Sequence, residues 1–227
     1  MKKHFTLFFL VLFFLSSINA QRIEGVAGSL KFGYMHAPSS GNTLNKIAPA
    51  GITGFDDNYF TFGAEAYYRK FKNIYTVEGT VVGQGRYANN TAYAEPYCGA
   101  AHGKWGRIVA ENDHSWLYPS IGAGASFLQL TTYEKANGKV VNIQEKTLVS
   151  PSFDVGINAD FLLSKINYKE GYYFGWILGI RAGYRASFSS DNWKDEQVVK
   201  PYDKPRYANN AFYFTVTIGG GSFNRKE

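Results

Sequence analysis

Apolar and polar residues alternate with period two along most of this 227-residue chain. Between residues 59 and 69, Phe60, Phe62, Ala64, Ala66 and Tyr68 form one set. Tyr59, Thr61, Gly63, Glu65, Tyr67 and Arg69 form the other. Residues 149–163 set Val149, Phe153, Val155, Ile157, Ala159, Phe161 and Leu163 against Ser150, Ser152, Asp154, Gly156, Asn158 and Asp160. Residues 172–188 set Tyr172, Phe174, Trp176, Leu178, Ile180, Ala182, Tyr184 and Phe188 against Gly175, Gly179, Arg181, Gly183 and Arg185. Shorter runs of the same kind cover 26–34, 75–86, 117–127 and 212–218. Successive side chains on a strand point to opposite faces, whereas a helix repeats its apolar set every three or four residues. The pattern therefore predicts seven two-faced strands, most of them longer than the roughly 5–6 residues usual in globular proteins. A long antiparallel array has to hide its edges, and closing into a barrel removes them.

Alternation alone does not say which face is inside. The polar face carries Glu65, Arg69, Glu78, Arg86, Asp154, Asp160, Arg181 and Arg185, interleaved with Gly63, Gly122, Gly124, Gly156, Gly179 and Gly183. Both charge signs beside very small residues suit a narrow lumen, where ionic side chains pair and glycines make room. Facing lipid, each Arg or Lys at mid-depth would cost about 2–4 kcal/mol. These eight residues are read as an ion-pair network in the lumen of a barrel whose apolar face meets a bilayer. Tyr68, Trp116, Tyr172, Trp176, Phe188 and Phe212 lie near strand ends and are read as interface aromatics, the girdles that flank such a belt.

Connection lengths give the strand count. Residues 71–73 and 164–171 are short, while 36–57, 88–110, 134–147 and 189–210 are long and polar. Outer-membrane barrels have short periplasmic turns and long outer loops. With both short connections on one side, an even number of strands must separate them. That requires an eighth strand within 92–110, placed at Gly103–Ala110 with a turn at Glu111–His114. The expected fold is all-β: an antiparallel up-and-down transmembrane barrel of eight strands.

Composition adds a leader and removes most chemistry. Met1-Lys2-Lys3-His4, the apolar run Phe5–Leu15 and small Ala20 have a signal-peptide layout, and the run is too short to span a bilayer. Residues 1–20 are read as a cleaved signal and 21–227 as the barrel domain. The 18 Phe, 17 Tyr and 4 Trp are many for a soluble core but natural on an outward wall. The net charge of +6 includes Lys2 and Lys3 of the leader, and the rest is dispersed, so no nucleic-acid patch forms. A single cysteine excludes an intrachain disulfide framework. His36, His102 and His114 are far apart and assigned to loops, with no metal-ligand spacing. Asn112-Asp113-His114-Ser115 holds the residue types of a hydrolase, but four consecutive turn residues cannot all converge on one substrate. Glu65 and Glu78 have the residue types of a general acid/base pair, yet their arginine neighbours favour a structural network. No catalytic residue, metal or cofactor is expected.

The chain resembles the small outer-membrane β-barrel proteins of Gram-negative bacteria. Segments such as 153–165 (FDVGINADFLLSK) and 174–188 (FGWILGIRAGYRASF) have the aromatic-rich style of members from the Bacteroidota. Residues 212–223 (FYFTVTIGGGSF) are similar to the family's terminal strand, which alternates to a final aromatic read by the assembly machinery. Here Gly219-Gly220-Gly221 puts Phe223 out of phase unless a bulge restores it. A more distant likeness is to a barrel protein of conjugative-transfer operons. The resemblance implies an exported, non-enzymatic outer-membrane protein whose loops serve surface interaction or envelope structure. Its partners would be outer-membrane lipid, lipopolysaccharide and the barrel assembly machinery. Alternatives are a small channel gated by the lumen charges, a soluble lipocalin-like carrier with its apolar face inward, and a membrane-embedded hydrolase using His114 and Ser115. A cation introduced at Leu178 on the outer face should block assembly, and one at Thr217 on the lumen face should be better tolerated.

Overall fold

A computed structural model of the chain describes residues 22–169, 171–195 and 204–226; residues 1–20, read above as a signal peptide, and residues 196–203 lie outside the described residues. Among the described residues eight long strands follow in order: β1 (Arg22–His36), β2 (Asn58–Lys70), β3 (Asn73–Gly83), β4 (Ala92–Arg107), β5 (Ser115–Ala136), β6 (Lys139–Leu162), β7 (Tyr172–Ser187) and β8 (Ala211–Lys226). Each is antiparallel to the next, and β8 pairs with β1 from Arg22↔Lys226 to His36↔Phe212. The sheet is thus a closed eight-stranded antiparallel barrel, with both described ends of the chain on the side of the short turns.

Burial alternates at every residue of β2, from exposed Asn58 and buried Tyr59 to buried Arg69 and exposed Lys70. The apolar set of each strand faces outward. Phe60, Phe62, Val77, Ile121, Val155 and Trp176 are all exposed, while Glu65, Asp154, Asp160 and Arg181 are buried inside. A carrier with its apolar face inward is therefore the wrong description of this barrel.

Two predicted loops are strand instead. The missing strand starts at Ala92, well before Gly103, so its loop shrinks to residues 84–91. Residues 134–147 belong to a β5–β6 hairpin that turns on Asn137 (φ 51°) and Gly138 (φ 76°). Two positive φ values make a two-residue turn whose twist matches the strands. Both stretches escaped notice because neither shows an apolar/polar contrast. In β4 the outward residues Ala101 and Gly103 are small, and near the hairpin tip exposed Val140 and Val141 stand side by side and break the alternation.

At the other long loop, residues 37–57 fold inward over the mouth around helix α1 (Ser40–Ile47). Ser39 is left-handed and makes no side-chain cap. Asp57 supplies it from outside the helix, its Oδ1 accepting from the Gly41 N–H at 2.7 Å and its Oδ2 from the Ser39 N–H at 3.1 Å. A carboxylate there meets the orphan N–H groups and the positive end of the helix dipole. Leu44 and Ile47 then pack with Met35, Tyr59, Leu128 and Leu148 into an apolar plug across the long-loop end. A second plug, including Ile74, Ile108, Trp116, Tyr173 and Phe223, fills the short-turn end.

The terminal strand keeps its phase. Ser29↔Gly219, Gly28↔Gly220, Ala27↔Gly221 and Gly25↔Phe223 pair without a shift, so no bulge forms and Phe223 points inward, buried. The glycines serve that inward ring. A Cβ on Gly221 would lie 2.7 Å from it, and one on Gly25 would lie 2.4 Å from it.

Candidate functional site

Between the two plugs the lumen is filled by an ion-pair lattice. Glu65 and Glu78 face each other across β2 and β3, both buried. Lys31 of β1 reaches both, ion-paired to Glu78 and 3.6 Å from Glu65. Lys104 of β4 bridges Glu78 at 2.7 Å and Asp154 of β6 at 2.6 Å, and donates to the Tyr213 hydroxyl at 3.1 Å. That hydroxyl in turn donates to Asp154 Oδ1 at 2.7 Å. Arg181 of β7 pairs with Glu65 at 2.5 Å and Asp160 at 2.7 Å, and its Nη1 donates to the Ala159 carbonyl at 3.1 Å. Three cations thus tie four carboxylates, the seven side chains coming from six strands. Arg185 adds a fourth positive charge on the same wall, its guanidinium 3.9 Å from the Met35 sulfur and 6.0 Å from the Tyr213 ring centroid.

The lattice has no spare room. A Cβ on Gly179 would sit 2.2 Å from Thr217 Oγ1, and 2.7 Å from both Arg181 Nη1 and Asp160 Oδ1. Long charged side chains fit because this position carries none. A buried charge is tolerated when it is paired. Lys31, Lys104 and Arg181 each lie within 4 Å of two carboxylates, whereas Arg185 has no carboxylate partner among the described residues, and Asp154 Oδ2 and Asp160 Oδ2 accept no hydrogen bond.

Three predicted residues lie elsewhere. Arg69 is buried but belongs to the short-turn plug: it ion-pairs with Glu111, donates from Nε to the Phe71 carbonyl at 3.0 Å and stacks 5.1 Å over the Trp116 ring. Arg86 is not in the lumen at all. β3 ends at Gly83, and Arg86 lies exposed beyond it, 2.8 Å from Glu95 and 4.2 Å over the Tyr93 ring. Trp116 is not an interface aromatic. Leu117 faces out, so its neighbour faces in and is buried against Arg69 and Phe223. Tyr68, Tyr172, Trp176, Phe188 and Phe212 are exposed on the outer side.

Lys31 and Lys104 were missed, and so was His102, which is no loop residue. It lies on β4 facing inward, its Nε2 2.8 Å from Ser152 Oγ. For Lys31 the signal was present, since it sits between outward Leu30 and Phe32. For Lys104 and His102 the weak contrast of β4 hid the phase. Glu78, His102 and Asp154 bring one ligand atom each within 4.8 Å of one another, a spacing that suits a metal ion. The Lys104 ammonium already sits between the two carboxylates and supplies the positive charge there. His114 and Ser115 lie in a turn held by Asn112, whose Oδ1 accepts from their backbone N–H groups at 2.9 and 2.8 Å.

No protein-family model matches the sequence, and no curated protein matches it. Among solved structures the chain is similar to Ail, the attachment invasion locus protein of Yersinia pestis, at 11% identity over 89% of this chain and 99% of that one, with a TM-score of 0.41. It is also similar to OprG from Pseudomonas aeruginosa, at 10% identity over 92% and 98%, with a TM-score of 0.39. The outer membrane protease OmpT from Escherichia coli matches at 6% identity over 91% and 97%, with a TM-score of 0.27. At such identities the likeness is one of fold alone, and the closed register of the eight strands is what makes this chain a barrel.

Proposed function

We propose that this protein is a non-enzymatic outer-membrane barrel, a sealed scaffold that presents its capped loops at the membrane surface. The observation that carries this reading is a lumen filled by a buried ion lattice between two apolar plugs, inside an apolar outer wall. An outward apolar wall is stable only against lipid or a partner. Tyr68 and Phe60 lie eight residues apart on β2. That is about 26 Å of strand and about 20 Å of depth at a tilt of about 40°, near the apolar band of about 25 Å. Partners in this reading are lipopolysaccharide at the loop end, the barrel assembly machinery, and surface ligands met by the loops, since function sits on loops held by a rigid scaffold.

A conducting role is disfavoured by the same filling. The test is outer-membrane extraction with heat-modifiable gel mobility, followed by planar-bilayer recording. The expected result is a detergent-extracted, heat-modifiable protein that gives no conductance steps at any voltage. Steady steps would restore the channel reading, and release by carbonate would refute the membrane assignment.

A further inference from the structure

The outer wall of β2, β3 and β4 carries three kinds of row, stacked in register from the short turns upward. Lys70, Asn73 and Arg107 face one another across the three strands, with Lys72 in the turn beside them. One outward position higher, Tyr68, Tyr75 and Trp105 form a row of exposed aromatics, and Trp105 Nε1 donates to Asn73 Oδ1 at 3.2 Å. Two outward positions above that, Ala64, Gly79 and Ala101 pair in register and form the floor of a hollow of about 670 Å³ walled by Phe62, Val81 and Phe127, with Gln129, Glu145 and Thr147 lining its side toward the long loops. Lys70, Lys72 and Arg107 gather at this corner, with Glu24 facing Lys70 across β1 and β2 and Glu111 ion-paired to Arg69 in the adjoining plug. Asp113, on a neighbouring turn, is ion-paired with Arg225.

We propose that this corner is a binding site for one anionic glycerophospholipid of the leaflet at the short-turn end. Its phosphate lies against Lys70, Lys72 and Arg107, its glycerol at the aromatic row, and an acyl chain in the hollow. The chemistry of each row matches one part of that molecule. Basic side chains are drawn to anionic headgroups, and an arginine can hold two phosphate oxygens at once. Tyrosine and tryptophan prefer the headgroup level. From Lys70 to Ala64 is six residues, about 20 Å of strand and about 15 Å of depth at a tilt of about 40°, half of a hydrocarbon core about 30 Å thick. The hollow therefore lies where the end of such a chain would be.

The proposal rests on the membrane reading above, and the experiment separates the two. The folded barrel is placed in bilayer discs of equal phosphatidylglycerol and phosphatidylethanolamine, and retained lipid is measured by native mass spectrometry after mild release. Wild type should retain phosphatidylglycerol in preference. Lys70→Gln/Lys72→Gln/Arg107→Gln should lower that retention about tenfold or more, given the attraction of each basic residue near an anionic surface. Arg86→Gln/Lys135→Gln at the other end should leave it unchanged. Ala101→Phe keeps every charge and fills the hollow, so it should weaken retention of long-chain but not short-chain phosphatidylglycerol. Equal retention of both lipids by wild type overturns the proposal, as does full retention by a triple variant that is inserted and heat-modifiable. A wild-type chain that inserts into no bilayer overturns the membrane reading itself.

Discussion

Lys104→Met tests whether the lumen lattice holds the barrel together. The substitution keeps the length of the side chain and removes its charge. In the native lumen the ammonium lies 2.7 Å from Glu78 and 2.6 Å from Asp154, at 5% side-chain exposure. Without it Glu78 still has Lys31, and Asp154 still has the Tyr213 hydroxyl. One buried carboxylate charge is then left uncompensated. Removing one partner of a buried pair costs about 3–5 kcal/mol, and the two surviving partners place this case near the lower end, about 3 kcal/mol. Urea unfolding of the barrel in phospholipid vesicles, followed by heat-modifiable mobility and extrapolated to zero denaturant, measures the loss. Adding Asp154→Leu removes the stranded charge, so the double variant should recover about half of the loss or more. A lattice also predicts a coupling energy of about 0.5–3 kcal/mol between the two sites. Arg86→Met, which breaks an exposed pair, should cost no more than about 1 kcal/mol. A loss below about 1 kcal/mol for Lys104→Met, or strict additivity of the two changes, would refute the lattice as a stabilising unit.

Gly179→Val should prevent folding to the heat-modifiable form, because its Cβ alone would lie 2.2 Å from Thr217 Oγ1; Gly79→Ala, with nothing within 4 Å, should fold normally. Leu178→Arg on the outer wall should cost about 2–4 kcal/mol and block insertion into vesicles. Thr217→Arg should fail too, contrary to the expectation from alternation alone, because Thr217 is fully buried in a filled lumen; efficient assembly of that variant would argue for an open interior. Asp57→Ala should cost about 1–2 kcal/mol locally by uncapping α1, read as faster amide exchange and proteolysis within residues 37–57 with the barrel intact.

What could be read from the chain followed from covalent geometry. Side chains on a strand alternate faces, so the outward set Phe60–Tyr68 and the inward positions of Glu65, Asp154, Asp160 and Arg181 were legible without any tertiary information. The eight-strand count followed as well, because short turns on one side force an even number between them. The rule misled where it was carried past the end of β3 to Arg86, and where Trp116 was read as an interface aromatic despite the phase of Leu117. It was silent where the contrast was weak, as in β4 with His102 and Lys104, and where adjacent Val140 and Val141 break the alternation beside the Asn137–Gly138 turn.

The chain by itself determined a two-faced wall, which depends only on the order of residues along each strand. The tertiary structure decided which charges meet and whether the lumen is open. Lys31, Glu65, Glu78, Lys104, Asp154 and Arg181 come from six strands, as many as 150 residues apart in sequence, and only the closed register brings them within ion-pair distance. Loop 37–57 gives no sign in its sequence that it folds back into the mouth, because that position depends on Asp57 meeting a helix end and on apolar partners from distant strands. Alternation is a local property and survives in the sequence; closure and filling are relations between distant segments and exist only once the barrel has formed.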